Sequence, residues 1–363
     1  MILNLNGQEV SVVIGPGTMH HIVSEADRYS HVVLMISKTV DDLYSDKIPK
    51  LTSLRGELTR IVLTDGENLK NIRNYQKIIG VLIERGVERD SLIIYIGGGT
   101  VGDLAGYVAS TYKRGTDFLA VPTTLLAQVD SSIGGKNGIN FSGVKNVIGT
   151  FYNPGTIIID TDFLKGDDTL KIRDGVCEMI KYGIIKDETI LRVLAKYDDI
   201  KSLASGDDLI KLISKSIRIK SEISNRDFFD RTGERSILNF GHTIGHSIES
   251  ATKNRISHGP AIATGMLVET YIGERMGITK PEIREEIRSQ MNRFSIQQVS
   301  LKEVGIDNMM EYLKNDKKMT QGSIAMSLPG DFGTHQNVKL TPENLRSHLR
   351  SFMETFDTLP AAR

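Results

Sequence analysis

The chain has 363 residues, with 45 basic and 45 acidic side chains. That length suits two domains and a core large enough to support a cleft. A neutral chain has no whole-molecule attraction for nucleic acid or an anionic membrane, so neither partner is expected. Cys177 is the only cysteine, which excludes an intrachain disulfide and a cysteine-rich zinc site and fits a reducing compartment.

The opening MILNLNGQEVSVVIG reads as two short strands around an Asn6-Gly7 turn. It lacks the basic and long apolar pattern of a secretory signal. No apolar run approaches the ~18 residues of a membrane helix, and a cytoplasmic location is expected. Short apolar runs follow at 31–37, 60–64, 91–96, 117–121 and 156–160, rich in Val, Ile and Leu and bounded by Gly, Asp or Thr. Amphipathic stretches such as 68–86 separate them. This alternation predicts an α/β N-terminal domain, residues 1–164, with a mostly parallel, Rossmann-like sheet. Ligands of such sheets sit at the carboxyl ends of the strands. From residue 165 to 363 apolar spacing near 3.6 dominates, in 207–224, 242–253, 260–277 and 281–294. This half is predicted to be an all-α C-terminal domain, interrupted late by a strand-like GSIAMSLPG at 322–330. The terminal TLPAAR is expected to fray.

The run 91–96 leads into Gly97-Gly98-Gly99-Thr100-Val101-Gly102-Asp103 and then a helical DLAGYVAS. Gly97, Gly99 and Gly102 satisfy G-x-G-x-x-G, whose backbone can approach a pyrophosphate at a helix N-terminus. Alone the pattern is weak, since any strand-to-helix turn needing positive φ would use glycine. The loop also follows the third of these runs, not the first as in the usual dinucleotide fingerprint. Pro122-Thr123-Thr124 would lie on the same edge, where a nicotinamide half could rest.

Three of eight histidines cluster: His242 and His246 share a helix face at i and i+4, and His258 opens the next helix. GHTIGH lacks the Glu of a zinc-protease motif. His20, His21, His31, His335 and His348 read as ordinary surface residues. Glu178, in the apolar stretch GVCEMIKYG, is the leading candidate for an anionic ligand, because an unpaired buried carboxylate is costly. One Glu and two His with open positions form a catalytic zinc-type set. Further polar groups stand where a core would prefer apolar ones. These are Asp130, Lys136, Lys145-Asn146, Lys181, Lys220, Arg235, Asn239 and Asp316-Lys317-Lys318. So many cations suit a small, multiply anionic, hydroxylated substrate.

The stretch 97–154, with EMIKYG and LNFGHTIGHSIE, resembles the 3-dehydroquinate synthase family of sugar-phosphate cyclases. The resemblance covers most of the chain. It implies a two-domain homodimer using NAD and one divalent metal, Zn2+ or Co2+, in the shikimate pathway. The implied reaction converts 3-deoxy-D-arabino-heptulosonate 7-phosphate to 3-dehydroquinate and phosphate. Its steps are transient oxidation, β-elimination, re-reduction and intramolecular aldol closure. By position, Glu178, His242 and His258 match the metal ligands. Lys136, Asn146, Asn239 and His246 match the phosphate set, with Arg114 reaching in from a second subunit. Lys220, Arg235 and Lys317 match the carboxylate set, and Asp130 and Lys181 match contacts to substrate hydroxyls. Glu67, Lys70, Gly98, Gly99, Thr100, Asp103, Thr123, Thr124, Asp130 and Lys145 match the cofactor side. Ser37-Lys38-Thr39 replaces an Asp that the family often uses for the adenine ribose, and Gly166-Asp167-Asp168 replaces a Thr-Leu-Pro. The alternatives are another cyclase, such as 2-deoxy-scyllo-inosose synthase, and an NAD-dependent metal polyol dehydrogenase.

Overall fold

The computed structural model describes residues 1–51, 55–165, 169–315, 319–320 and 322–357. They form two compact units: Met1–Lys171 with Ile213–Phe229, and Ile172–Leu212 with Asp230–Arg363.

The first unit is built on a seven-stranded sheet. Its strands are β1 (Ile2–Leu5), β2 (Gln8–Gly15), β3 (His31–Ser37), β4 (Glu57–Leu63), β5 (Leu92–Gly97), β6 (Asp117–Pro122) and β9 (Thr156–Asp160). A separate hairpin pairs β7 (Lys136–Phe141) with β8 (Val144–Phe151). The sheet order is β1-β2-β9-β6-β5-β3-β4, and every pair except β1-β2 is parallel. The antiparallel pair turns through Asn6 (φ 53°) and Gly7 (φ 81°), the two positive values of a type I′ hairpin turn. β3 and β5 are buried at every position, which is why their sequences are continuous apolar runs. Val32, Leu34, Ile36, Leu92, Ile94, Ile96, Leu119, Val121 and Ile158 form the core on one face, closed by Met19, Ile22 and Phe163.

The strand order fixes where a ligand can enter. From β3 the chain moves outward to β4, then returns to the opposite side of β3 as β5. Such a reversal opens a crevice at the carboxyl ends of the two central strands. Ser37 ends β3 and Gly97 ends β5 there, and a Cβ on Gly97 would lie 3.2 Å from that of Ser37.

The glycines after β5 serve close approach, not backbone inversion. None of Gly97, Gly98, Gly99 and Gly102 is among the residues with positive φ. A Cβ on Gly99 would meet Ser131 Oγ at 2.8 Å, and one on Gly102 would meet the Tyr95 ring at 2.9 Å. On Gly106 it would lie 1.9 Å from Asn137 Oδ1, whose amide donates to the carbonyls of Gly135 and Tyr152 at 2.9 and 2.8 Å. Ala is the better helix former by roughly 1 kcal/mol, but here the clash wins because the amide is pinned. Gly106→Ala should therefore cost about 1–3 kcal/mol. A denaturant melt showing unchanged or raised stability would refute that packing role.

The second unit is helical, as its periodicity predicts. Helices span Thr169–Ile185, His242–Ala251, His258–Arg275, Pro281–Arg293, Ile306–Asn315 and Pro342–Phe356, with shorter ones between. His258–Arg275 is buried almost all round, from Gly259 to Gly273, which explains a sequence that is apolar on every face, with Thr264, Glu269 and Thr270 the buried polar exceptions. The strand expected at 322–330 is the middle of a small antiparallel sheet, β10 (Met319–Thr320), β11 (Ser323–Pro329) and β12 (His335–Leu340). This sheet is an addition to the all-α expectation. TLPAAR and 166–168 lie outside the described residues.

Candidate metal centre and dinucleotide loop

Glu178 lies on the helix Thr169–Ile185 and is fully buried. His242 and His258 each open a helix. Both turn Nε2 toward Glu178 Oε1, at 3.3 Å from each ring. Their other nitrogens are anchored away from that point: His242 Nδ1 lies 3.1 Å from Phe240 O, and His258 Nδ1 lies 3.4 Å from Glu249 Oε1. The three ligand atoms lie within 4.8 Å of one another. Two imidazoles whose outer nitrogens are held by a carbonyl and a carboxylate are oriented as metal-binding histidines usually are. Glu178 Oε2 is buried against the Lys181 ammonium but makes no well-directed hydrogen bond. Lys181 also donates to Leu238 O at 3.0 Å. This donor set fits a divalent cation that accepts nitrogen and oxygen ligands.

The charges explain how so polar a cluster is tolerated. Burial pushes the Glu178 carboxyl up, but the Lys181 charge and then the His242 ring bring it well below its ordinary range. Burial and the nearby Lys181 lower His242. For His258 burial also lowers the pKa, yet its partners Glu178 and Glu249 win and raise it to about 10. His246 approaches Glu249 from the other side, its Nε2 3.9 Å from Oε2, so a second donor group, His246, Glu249 and His258, adjoins the first.

In the first unit Gly98 caps the helix Gly99–Thr111, whose first-turn N–H groups have no carbonyl partners within the helix. Lys70 is buried and donates to Asp103 Oδ2 at 2.5 Å, with Glu67 Oε1 at 3.6 Å. Burial lowers the Lys70 ammonium, but Asp103 and Glu67 hold it above its ordinary value. Asn140 donates to Glu67 Oε1 at 2.8 Å. Thr123 is buried, and Thr124 Oγ1 accepts from the Ala127 N–H at 3.2 Å. Asp130 stands in a single π-helical turn, Ala127–Ser131, a form that recurs at functional sites. The Lys220 ammonium lies 2.6 Å from Asp130 Oδ2 and donates to its backbone carbonyl at 2.8 Å. Lys136 is exposed on β7, and Lys145 and Asn146 are exposed on β8. Arg114 is exposed in a tight turn with φ 67°.

The structure thus brings together Glu178, Lys181, His242, His246 and His258, and separately Glu67, Lys70 and Asp103, and Asp130 with Lys220. Arg235 is buried and Asn239 half-buried on the short 3-10 helix preceding His242. Lys317 lies outside the described residues. His31 is not a surface residue: it is buried on β3, with Nε2 2.9 Å from Thr59 Oγ1. Glu249 and Asp65 were missed. Glu249 is three residues past His246, a spacing that puts both on one helix face. Asp65 accepts from Ser37 Oγ at 2.5 Å and from the Thr39 N–H at 3.0 Å. A carboxylate therefore stands at the end of β3 even though that strand ends in Ser37.

Comparison with known proteins places these features in a family. The 3-dehydroquinate synthase N-terminal family matches residues 60–174, and the C-terminal family of the same enzyme matches 175–319. The 3-dehydroquinate synthase of Thermoplasma volcanium is 51% identical over 98% of this chain and 98% of its own. The chain belongs to the 3-dehydroquinate synthase family. The Picrophilus torridus member is 44% identical over 79% of this chain and 82% of its own. Among solved structures, 2-deoxy-scyllo-inosose synthase complexed with carbaglucose-6-phosphate, NAD+ and Co2+ superposes with a TM-score of 0.87 at 22% identity, covering 97% of this chain and 99% of that one. The 2-epi-5-epi-valiolone synthase of Streptomyces hygroscopicus, with NAD+ and Zn2+ bound, gives 0.83 at 23%, covering 96% and 97%. At such identity these two show only that the chain shares their fold. No helix among the described residues is long and apolar enough to cross a membrane.

Proposed function

We propose that this chain carries out its family's reaction. As a carbon–oxygen lyase acting on phosphates, it would convert 3-deoxy-D-arabino-heptulosonate 7-phosphate to 3-dehydroquinate and phosphate. Identity of 51% across nearly the whole chain carries the reading. The buried Glu178, His242 and His258 set supports it, because it suits one divalent ion. When bound, zinc or cobalt supplies Lewis acidity toward a substrate hydroxyl, and NAD supplies a hydride acceptor that is regenerated.

The chain's own residues bind, orient and neutralise. The N–H groups at Gly99 and Thr100, behind Gly98, suit a pyrophosphate. Glu67, Lys70, Asp103, Thr123, Thr124, Asp130 and Lys145 complete the cofactor side. Lys136, Asn146, Asn239 and His246, with Arg114 of a second copy, take the phosphate. Lys220, Arg235 and Lys317 take the carboxylate. Lys181, which donates to Leu238 O, is the cation on the substrate-hydroxyl side. Asp130 is the acceptor on the hydroxyl side. Positioning and charge stabilisation are the protein's share of such chemistry. A homodimer in the cytoplasm completes the reading.

A dehydrogenase is the rival from another class. Glycerol dehydrogenase from Schizosaccharomyces pombe shares the fold, with a TM-score of 0.67 at 15% identity. A phosphate-release assay with the heptulosonate phosphate separates the two. The expected result is one phosphate per turnover with no net NADH, abolished by chelation. Stoichiometric NADH without phosphate would sink the proposal.

A further inference from the structure

Both candidate ligand histidines occupy the first position of a helix, His242 in His242–Ala251 and His258 in His258–Arg275. First-turn N–H groups have no partners within their own helix and, when buried, must find acceptors elsewhere. The local N-cap residues do not supply them: neither Gly241 nor Ser257 makes a side-chain cap. The acceptors come from other helices. Asp174 Oδ1 accepts from the Gly259 N–H at 2.6 Å. Glu269 Oε2 accepts from the Gly241 N–H at 2.8 Å, and its Oε1 accepts from Ile244 at 3.3 Å.

These two caps link the three ligand-bearing helices in a closed order. Asp174 stands four residues before Glu178, on the same helical face. The Glu178 helix thus caps the His258 helix. The His258 helix carries Glu269, which caps the His242 helix. Both histidines then turn back to Glu178. The reach of Glu269 depends on backbone-to-backbone packing. A Cβ on Gly265 would lie 2.0 Å from Gly241 O, and one on Gly245 would lie 3.0 Å from Ile262 Cα. Glu269 is fully buried. A carboxylate in that position is costly unless hydrogen-bonded, and the helix start meets that need while the carboxylate meets the helix's.

We propose that Asp174 and Glu269 are positioning residues that fix the two histidines before a metal arrives. This rests on reading Glu178, His242 and His258 as the ligands. The test uses metal-free full-length protein, titrated with zinc against a chromophoric chelator well below its melting temperature. Cobalt absorption spectra are recorded in parallel. Asn keeps an acceptor, so D174N should stay within about threefold of wild type, whereas D174A should bind zinc at least about tenfold more weakly. E269Q retains one acceptor and should fall between wild type and E269A. The cobalt bands of both alanine variants should shift. Leu345→Ala, a buried truncation on the helix Pro342–Phe356, controls for lost stability alone and should leave zinc affinity unchanged. Wild-type affinity and spectra in D174A and E269A would overturn the proposal, as would an equal loss in Leu345→Ala. If the alanine variants do not fold, wild-type affinity in E269Q overturns it and weakened affinity supports it. Failure of the wild-type protein to bind zinc would instead sink the metal reading itself.

Discussion

Glu178→Gln is expected to reduce turnover by at least about 10³-fold, equivalent to roughly 4 kcal/mol of lost transition-state stabilisation. The side chain keeps its shape but loses the anionic oxygen that both histidines face. It also leaves the Lys181 ammonium, 1% exposed, without its carboxylate. Removing one partner of a buried pair typically costs about 3–5 kcal/mol. The variant should therefore melt earlier than wild type even without metal. Glu178→Ala should destabilise further, since it adds a cavity to the loss of the carboxylate beside Lys181. Two readouts check this: metal content after dialysis into zinc, and phosphate release per turnover. A variant that holds stoichiometric zinc and turns over near the wild-type rate would remove Glu178 from the ligand set.

The parallel sheet was legible because its central strands are buried on both faces, so β3, β5, β6 and β9 read as apolar blocks with turn residues at each end. The β7-β8 hairpin was not. KNGINF and VKNVIGTF are half exposed and polar, and neither alternation nor an apolar run marks them. β12 was invisible for the same reason, exposed at four of six positions. The membership of residues 213–229 in the first unit could not be read either. Amphipathic spacing reports that a helix has a buried face, not which core covers it.

The site shows the same division. Glu178 was found because a carboxylate in an apolar stretch demands a partner. Glu269, within the apolar GMLVETYIG, carries that same signal and went unread. Its partners are backbone N–H groups, which no side-chain pattern announces. His31 failed in the other direction: its partner Thr59 lies on the neighbouring strand, and burial follows from strand pairing, which local sequence does not show.

Zinc affinity should rise about tenfold per pH unit between roughly pH 7 and 10, the slope expected when one bound proton must leave for each metal bound. The proton is that of His258, whose folded, metal-free pKa is raised to about 10 by Glu178 and Glu249 against the effect of burial. Metal needs the neutral ring at Nε2, the nitrogen facing Glu178. The same shift fixes the sign of the metal-free protein's stability. A histidine raised above its ordinary value stabilises the fold fully below about pH 6.5. That contribution is lost as pH rises through about 10. Glu178 acts oppositely: held well below its ordinary range, it contributes above about pH 4.5, and this is lost as pH falls through the depressed value. His242, lowered by burial, adds no competing proton in the upper window. Zinc titrations across that range, repeated in buffers of different ionisation enthalpy, should report release of about one proton per ion at pH 8. His258→Asn should flatten the slope while weakening affinity throughout. An affinity independent of pH in the wild-type protein would show that His258 is already neutral, and that Glu249 orients its ring without holding its charge.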